Sequence, residues 1–326
     1  MKIYLYEDRK DVFLDAFYPG GGGRDLPPLD VGAPLPAMVA GAPAADMQAS
    51  GTPVDLSPAG ALPAAVICPG GGYRLIGTTE GRPVSDKFTD AGYAAFVLHY
   101  TVGDGARFEA ENPQGPQNPT GAGTGGWAGF APLLDLTAAL SLLHERSAEF
   151  GIDPSAIVLA GFSAGGHLCA GSCFSGLLAE KGLQPKALIL TYPMGGGEDS
   201  GGAGMPQPDF DIAAMPYARP ADDDPADDDS AAGGPGAGSL AAHGPGAGSL
   251  AAHGLTRNIP PVFLWHAKDD AMVPFAASVR LDERLTAEGI PHVFFVYEHG
   301  IHARPFVDPD WWYKALDWLN EIFPVK

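Results

Sequence analysis

Apolar residues recur along the chain in eight short runs, and longer stretches that mix apolar and polar positions separate them. Short apolar runs bounded by turn-forming residues predict strands, whereas apolar positions spaced three and four residues apart predict helices. The strands are expected at 3–6, 12–17, 64–68, 93–100, 157–160, 187–192, 262–266 and 292–297. The helices are expected at 82–90, 132–149, 164–180, 275–288 and 311–323.

The later strands are apolar without interruption, as in ALILTY at 187–192. Such strands suit a parallel sheet that is buried on both faces, because helices cover each side of it. Strands that alternate with helices are typical of crossover connections. The pattern therefore predicts an α/β fold with a doubly wound, mostly parallel eight-stranded sheet and helices on both faces.

Two stretches rich in Pro, Gly and Ala interrupt this alternation. The stretch at 20–61 has little periodic hydrophobicity, and the stretch at 195–253 contains tandem copies of PADDD and of GPGAGSLAAH. Repeats this short carry almost no apolar surface that could stack. We therefore expect a single domain over 1–326, with a loop insertion at 20–61 and an acidic, Gly/Ala-rich and disordered insertion at 195–253.

Charge and hydropathy narrow the classes of partner. The 39 acidic and 19 basic side chains give a formal net charge of −20. A field of this sign repels phosphate backbones, so nucleic acid is not expected as a partner. No run approaches the roughly 18 consecutive apolar residues of a membrane-spanning helix, so a membrane partner is not expected either. The oligomeric state stays open.

Two further features bear on the compartment. Four consecutive charged residues, 7–10, stand where a secretory signal would need apolar ones, so a cytoplasmic location is expected. The three cysteines, Cys68, Cys169 and Cys173, form neither a disulfide framework nor a zinc-ligand pattern. We interpret them as small buried apolar residues.

The segment IVLAGFSAGGHLCA at 157–170 contains the best-defined chemical motif. An apolar strand ends in Gly161, Phe162, Ser163, Ala164 and Gly165, and a helix follows at once. This G-x-S-x-G pattern is the nucleophile elbow, in which a strained turn exposes the serine hydroxyl at a helix N-terminus. Ser163 is therefore the expected nucleophile. His167, one turn further on, is interpreted as a core residue.

A serine nucleophile requires a base that a carboxylate orients, and both partners should follow later strands of the sheet. VFLWHAKDDAMVP supplies Asp269 and Asp270, and HVFFVYEHGIHARPF supplies His299 and His302. The order Ser, Asp, His along the chain is the one that this topology uses. Spacing alone leaves both aspartates and both histidines open.

The segments CPGGGY, GFSAGGHL, WHAKDDAMVP and HGIH, in that order, resemble the α/β-hydrolase superfamily. Within it they are most similar to esterases related to bacterial acetylxylan esterases and hormone-sensitive-lipase-like enzymes. The resemblance implies the α/β-hydrolase fold and a serine esterase. It also implies Asp270 as the acid, because Val-Pro follows three residues later, and His302 as the base of a Gly-x-His pattern.

The resemblance also predicts a role for the glycine loop VICPGGGY. A phosphate loop would lead directly into a helix, whereas the helix expected here begins about ten residues later. In the resembled superfamily this loop carries the oxyanion donors. The expected donors are the backbone N–H groups of Gly71, Gly72 and Ala164, with Gly70 as an alternative. Relatives carry histidine in an HGGG motif where this chain has Pro69.

The resemblance implies hydrolysis of small acyl esters, acetyl esters of xylo-oligosaccharides or other carbohydrates first among them, with no metal or organic cofactor. The alternatives are a general short-chain carboxylesterase, a prolyl-oligopeptidase-like serine peptidase and a non-catalytic binding protein on a hydrolase scaffold. Trp127, in a glycine-rich stretch, is a candidate either for stacking on a sugar ring or for a plain packing role. Glu80 is interpreted as a helix-start acidic residue without a function of its own.

Overall fold

The computed structural model describes residues 1–7, 9–20, 60–103, 131–195, 259–307 and 310–323. Most of the two predicted insertions, 20–61 and 195–253, lies outside these residues, as does Trp127. The division of the chain into one domain with two insertions therefore stays a prediction.

Eight strands of the described residues form one sheet. They are β1 Lys2–Tyr4, β2 Phe13–Phe17, β3 Leu62–Cys68, β4 Ala94–His99, β5 Ile152–Phe162, β6 Ala187–Thr191, β7 Val262–Ala267 and β8 His292–Tyr297. The spatial order is β1-β2-β4-β3-β5-β6-β7-β8. The pairs β1/β2 and β2/β4 are antiparallel and the other pairs are parallel, which confirms the predicted mostly parallel sheet.

The described helices are α1 Arg82–Asp90, α2 Ala131–Glu145, α3 Ser147–Phe150, α4 Ala164–Phe174, α5 Leu177–Glu180, α6 Ala276–Ala287 and α7 Asp310–Ile322. Two predicted helices are wrong in length, because each is broken into a long and a short piece. The helix predicted at 164–180 breaks at Gly176, which has a φ of 83°. The one predicted at 132–149 breaks at Arg146. Apolar periodicity continues across both breaks, so the pattern could not show them.

Helices cover both faces of the sheet, as predicted. One core cluster joins one sheet face to α2, α4 and α6, through residues such as Leu136, Leu168 and Leu281. The opposite cluster joins the other face to α1 and α7, through Phe88 and Trp311. The three cysteines are free and buried, as expected. Within the described residues, no helix is long and apolar enough to cross a membrane.

Parallel strands bring their carboxyl ends to one edge of the sheet, and ligands bind there in open α/β sheets. The glycine loop follows β3, Ser163 follows β5, the aspartate pair follows β7 and the histidine pair follows β8. Segments far apart in sequence therefore meet at this edge.

Candidate active site

Ser163 lies on a strained turn between β5 and α4. Its φ of 52° and ψ of −116° are unusual for a residue with a side chain, and such strain costs about 1–3 kcal/mol. Hydrogen bonds from Ser163 N to Thr191 O (3.0 Å) and from Met194 N to Ser163 O (3.0 Å) hold the turn against β6. This is the geometry of the predicted nucleophile elbow.

Backbone packing explains the two glycines of the elbow. A Cβ at Gly161 would lie 2.5 Å from Gly165 O, and one at Gly165 would lie 1.9 Å from Cys68 O. The collisions would be with the backbone of the elbow itself and of the end of β3, so the glycines allow helix and sheet to approach.

A chain of short contacts links three of the predicted site residues. His302 Nε2 lies 2.9 Å from Ser163 Oγ, and His302 Nδ1 lies 2.6 Å from Asp270 Oδ2. The other predicted alternatives form a separate pair, in which His299 Nδ1 lies 2.9 Å from Asp269 Oδ2. The structure thus brings Asp270 and His302 to Ser163 and leaves Asp269 and His299 paired with each other.

Asp270 is surrounded by donors. Its Oδ1 accepts hydrogen bonds from Met272 N (2.8 Å) and Val273 N (2.9 Å), and His266 Nε2 lies 3.2 Å from Oδ2. Burial by itself would raise the pKa of Asp270, but the contacts with His266, His302 and the Val273 N–H outweigh it and hold that pKa well below its usual range. The carboxyl group therefore stays ionised beside the imidazole.

His266 is a site residue that the sequence reasoning missed. It was assigned only as the end of a strand, yet its side chain is fully buried, and its Nδ1 lies 2.8 Å from Ser278 Oγ. A histidine within an otherwise apolar strand was the available signal, because a buried imidazole requires polar partners. Asp270, which lies 3.2 Å from His266 Nε2, is only four residues further along the chain.

The glycine loop lies directly beside the nucleophile. A Cβ at Gly70 would lie 2.8 Å from the Cβ of Ser163. The N–H of Gly70 donates to Glu80 Oε2 at 2.6 Å, so this group is occupied. Within the described part of the chain, neither Gly71 nor Gly72 has a hydrogen bond from its N–H, and an N–H in the first turn of a helix, such as that of Ala164, has no partner inside the helix.

The interpretation of Glu80 as a helix-start residue is wrong. Helix α1 begins at Arg82, and its first turn contains no acidic residue. The side chain of Glu80 points to the glycine loop instead, and only 1% of the residue is exposed. His167, in contrast, is buried and its Nδ1 lies 2.8 Å from Tyr73 Oη, as expected for a core histidine.

No metal site emerges: among the residues that the structure describes, no group of three or more His, Cys, Asp or Glu side chains is arranged to hold a metal ion. The donors that converge on the site are backbone N–H groups, a hydroxyl, an imidazole and a carboxylate. These are the parts that acyl transfer through a serine requires.

The chain belongs to the family of proteins with the alpha/beta hydrolase fold, because the model of that family matches residues 130–305. This match confirms the predicted superfamily. The matched region contains Ser163, Asp270 and His302 but ends before α7.

Similar proteins carry names from xylan chemistry. The chain is 26% identical over 73% of its length to endo-1,4-beta-xylanase B of Butyrivibrio fibrisolvens, and 28% identical over 40% of its length to an acetylxylan esterase of Xylanibacter ruminicola. It spans 32% and 22% of the length of these two relatives.

The solved structure of an acetyl ester-xyloside bifunctional hydrolase from Caldicellulosiruptor lactoaceticus is similar over 100% of this chain and 97% of that chain. The TM-score is 0.57 and the sequence identity is 21%, so this likeness shows the fold alone.

Proposed function

We propose that the protein is a serine esterase that hydrolyses small acyl esters through an acyl-enzyme intermediate. The observation that carries the proposal is the chain of contacts from Ser163 Oγ to His302 Nε2 (2.9 Å) and from His302 Nδ1 to Asp270 Oδ2 (2.6 Å). Ser163 and the side chains of Asp270 and His302 are almost fully buried, which limits the competition of water for these contacts.

In the acylation step, His302 Nε2 takes the proton of Ser163 as Oγ bonds to the ester carbonyl carbon. Asp270 holds the imidazole with Nδ1 protonated and stabilises the imidazolium that forms. The tetrahedral intermediate then collapses, and the imidazolium gives its proton to the departing alkoxide. The acyl group remains as an ester on Ser163.

The oxyanion of the tetrahedral intermediate needs donors beside Ser163. The N–H of Gly70 donates to Glu80, which supports our assignment of the donors to Gly71, Gly72 and Ala164. Loss of one such donor typically costs about 3 kcal/mol of transition-state stabilisation. The φ of 129° at Gly71 and of 60° at Gly72 favours glycine at both positions.

Deacylation repeats the same steps with water as the nucleophile. His302 Nε2 accepts a proton from water as its oxygen attacks the acyl carbon, and then returns that proton to Ser163 Oγ as the acid leaves. The chain's own groups account for every proton, so the proposed reaction needs no cofactor.

We further propose that the acyl group is acetyl and that the alcohol is a carbohydrate, such as a xylo-oligosaccharide. The support is the similarity to a protein named an acetylxylan esterase and to one named an endo-1,4-beta-xylanase. A general short-chain carboxylesterase and a prolyl-oligopeptidase-like peptidase use the same triad and are the competing activities. The cytoplasmic location expected from the sequence stays a prediction.

The proposal is tested by measuring release of acetate, butyrate and longer acyl groups from chromogenic esters, and of acetate from acetylated xylo-oligosaccharides. A peptide amide of proline serves as the peptidase substrate, and Ser163→Ala is the control for each assay. We expect acetyl esters to be preferred and the serine variant to be inactive. Preference for long acyl chains would contradict the acetyl assignment, and turnover in Ser163→Ala would contradict the mechanism.

A further inference from the structure

Glu80 is a buried carboxylic acid beside the site that the proposed reaction does not use. Its Oε2 accepts a hydrogen bond from Gly70 N at 2.6 Å, and its Oε1 accepts one from Tyr192 Oη at 2.8 Å. Burial raises the pKa of Glu80, and the hydrogen bonds from Tyr192 and Gly70, together with the nearby His302, oppose that rise. Burial of a carboxylic acid costs free energy unless hydrogen bonds compensate for the lost water, so the contacts of Glu80 indicate why an acid is placed there.

The carboxylate fits against the glycine loop. Cβ atoms added at Gly70 or Gly77 would each lie 2.8 Å from Glu80 Oε2, so the acid fills the space that side chains would occupy. Gly77 N donates to Gly70 O at 2.8 Å. Gly70 is therefore held on both its N–H and its C=O, and the orientation of the next two peptides depends on this anchor.

The same segment reaches the base. The ring of Tyr192, whose hydroxyl binds Glu80, lies 4.6 Å from the ring of His302 between centroids. Thr79, the preceding residue, donates through Oγ1 to Ala303 O at 2.7 Å, directly after His302. Glu80 thus contacts Gly70 in the glycine loop and Tyr192 beside the ring of His302, and Thr79 contacts the residue that follows His302.

We propose that Glu80 is a positioning residue, which aligns the N–H groups of Gly71 and Gly72 and, through Tyr192, the ring of His302. Because only 1% of Glu80 is exposed, it acts through these neighbours and not on the substrate. The inference rests on the proposed esterase function. It assigns a role to a residue that neither the serine motif nor the glycine motif contains.

Asp135 provides a matched control in the same molecule. It too is fully buried, and its carboxylate accepts hydrogen bonds from Tyr6 Oη (2.9 Å) and from Thr101 N (2.7 Å). Burial likewise raises its pKa, and the hydrogen bonds of Thr101 oppose the rise. Its contacts join the N-terminal segment to α2 and the end of β4, and none of them is with Gly70 or Tyr192.

The experiment measures kcat and KM for hydrolysis of p-nitrophenyl acetate, and separately the unfolding temperature of each protein. The proteins compared are wild type, Glu80→Ala, Glu80→Gln, Tyr192→Phe and Asp135→Asn. We expect Glu80→Ala to lower kcat about 100-fold while KM stays within about threefold, because the lost contact acts on the oxyanion site. Glu80→Gln should recover most of this loss, since an amide oxygen can still accept from Gly70 N. Tyr192→Phe should lower kcat about tenfold.

Asp135→Asn should lower the unfolding temperature and leave kcat unchanged. If folded Glu80→Ala retains the wild-type kcat, or if Glu80→Ala and Asp135→Asn lose activity to the same extent, the positioning role is wrong and the esterase proposal stands. Tyr192→Phe keeps the test decisive should Glu80→Ala fail to fold, because it removes one hydroxyl only. Absence of turnover in the wild type would instead refute the esterase proposal, and the positioning role with it.

Discussion

Two Asp–His pairs stand side by side in the loops after β7 and β8, and only one of them contacts the serine. In both pairs a histidine Nδ1 approaches a carboxylate, at 2.9 Å in Asp269–His299 and at 2.6 Å in Asp270–His302. The side chains of the first pair are 47% and 89% exposed, whereas those of the second are 2% and 5% exposed. The same two residue types therefore occupy an exposed and a buried environment, although the aspartates are adjacent and the histidines are only three residues apart in the sequence.

The two environments differ in the properties that allow an Asp–His pair to support catalysis. The carboxylate of Asp270 meets two imidazoles and two backbone N–H groups, and its removal from water strengthens each of these contacts. Asp269 accepts from Gly300 N and contacts His299 at the surface, where solvent screens the interaction. Orientation and desolvation, more than residue type, separate the two pairs.

The largest expected effect comes from exchanging the two histidines for alanine. We expect His302→Ala to lower kcat for p-nitrophenyl acetate by about 10⁶-fold, the loss typical of removing a triad base. His299→Ala should retain the wild-type kcat within about twofold, because its side chain projects into solvent. Steady-state kinetics of both variants provide the check, and a reversed order would assign the base to the exposed pair.

The kcat values of the two aspartate variants should differ by a smaller factor than those of the two histidine variants. Asp270→Asn keeps the shape of the side chain but favours the wrong imidazole tautomer, so kcat should fall by about 10⁴-fold. Asp269→Asn is the isosteric control one residue away and should leave kcat unchanged. Equal losses in the two variants would contradict the assignment of the acid.

His266 is a further difference between the two pairs, because the exposed pair has no counterpart to it among the described residues. Substitution His266→Gln should lower kcat about tenfold, as expected for a weakened contact to a charged group. Ser278→Ala, which removes the hydroxyl next to His266 Nδ1, should have a smaller effect in the same direction. Activity that is unchanged in both variants would make His266 a packing residue only.

The smallest expected effect is on stability and depends on pH. The pKa of Asp270 is held below its usual value in the folded protein, so the group contributes stability above its unfolded pKa of about 3.9, and that stability is lost as pH falls through the lower folded value. The unfolding temperature of wild type should exceed that of Asp270→Asn at neutral pH, and the difference should shrink below about pH 4.

Calorimetry from pH 3 to pH 7 at constant ionic strength measures this difference. The Asp269→Asn variant serves as the exposed control. The contacts with His299 and the Gly300 N–H also lower the pKa of Asp269, but solvent screens them, so this variant should differ from the wild type less than Asp270→Asn does. A difference between wild type and Asp270→Asn that grows towards low pH would contradict the direction of the pKa shift.

The sheet and the strained turn at Ser163 could be predicted because their signals are local. Continuous apolar runs specify buried parallel strands, and the glycines around Ser163 mark a turn that only small residues permit. The order of the later Asp and His then follows from the sheet topology. The choice between Asp269 and Asp270 could be made only from the resemblance to a family, since both follow the same strand.

The supporting contacts of Thr79 and Glu80 could not be predicted, because these partners are distant in sequence. Glu80 meets Tyr192 across 112 positions, and Thr79 meets Ala303 across 224. No local periodicity encodes contacts of this length, and a glutamate two residues before a helix has an adequate local explanation. The breaks at Gly176 and Arg146 were missed for the opposite reason, because the apolar pattern continues through them.

The most direct test of the central claim is to locate the covalent bond. Wild type and Asp269→Asn would each be treated with a fluorophosphonate, digested and mapped by mass spectrometry, with Ser163→Ala as control. The mechanism predicts one phosphonylated residue, Ser163, in both proteins and no adduct in the control. An adduct on another residue, or ester hydrolysis that continues after Ser163 is fully phosphonylated, would contradict this mechanism.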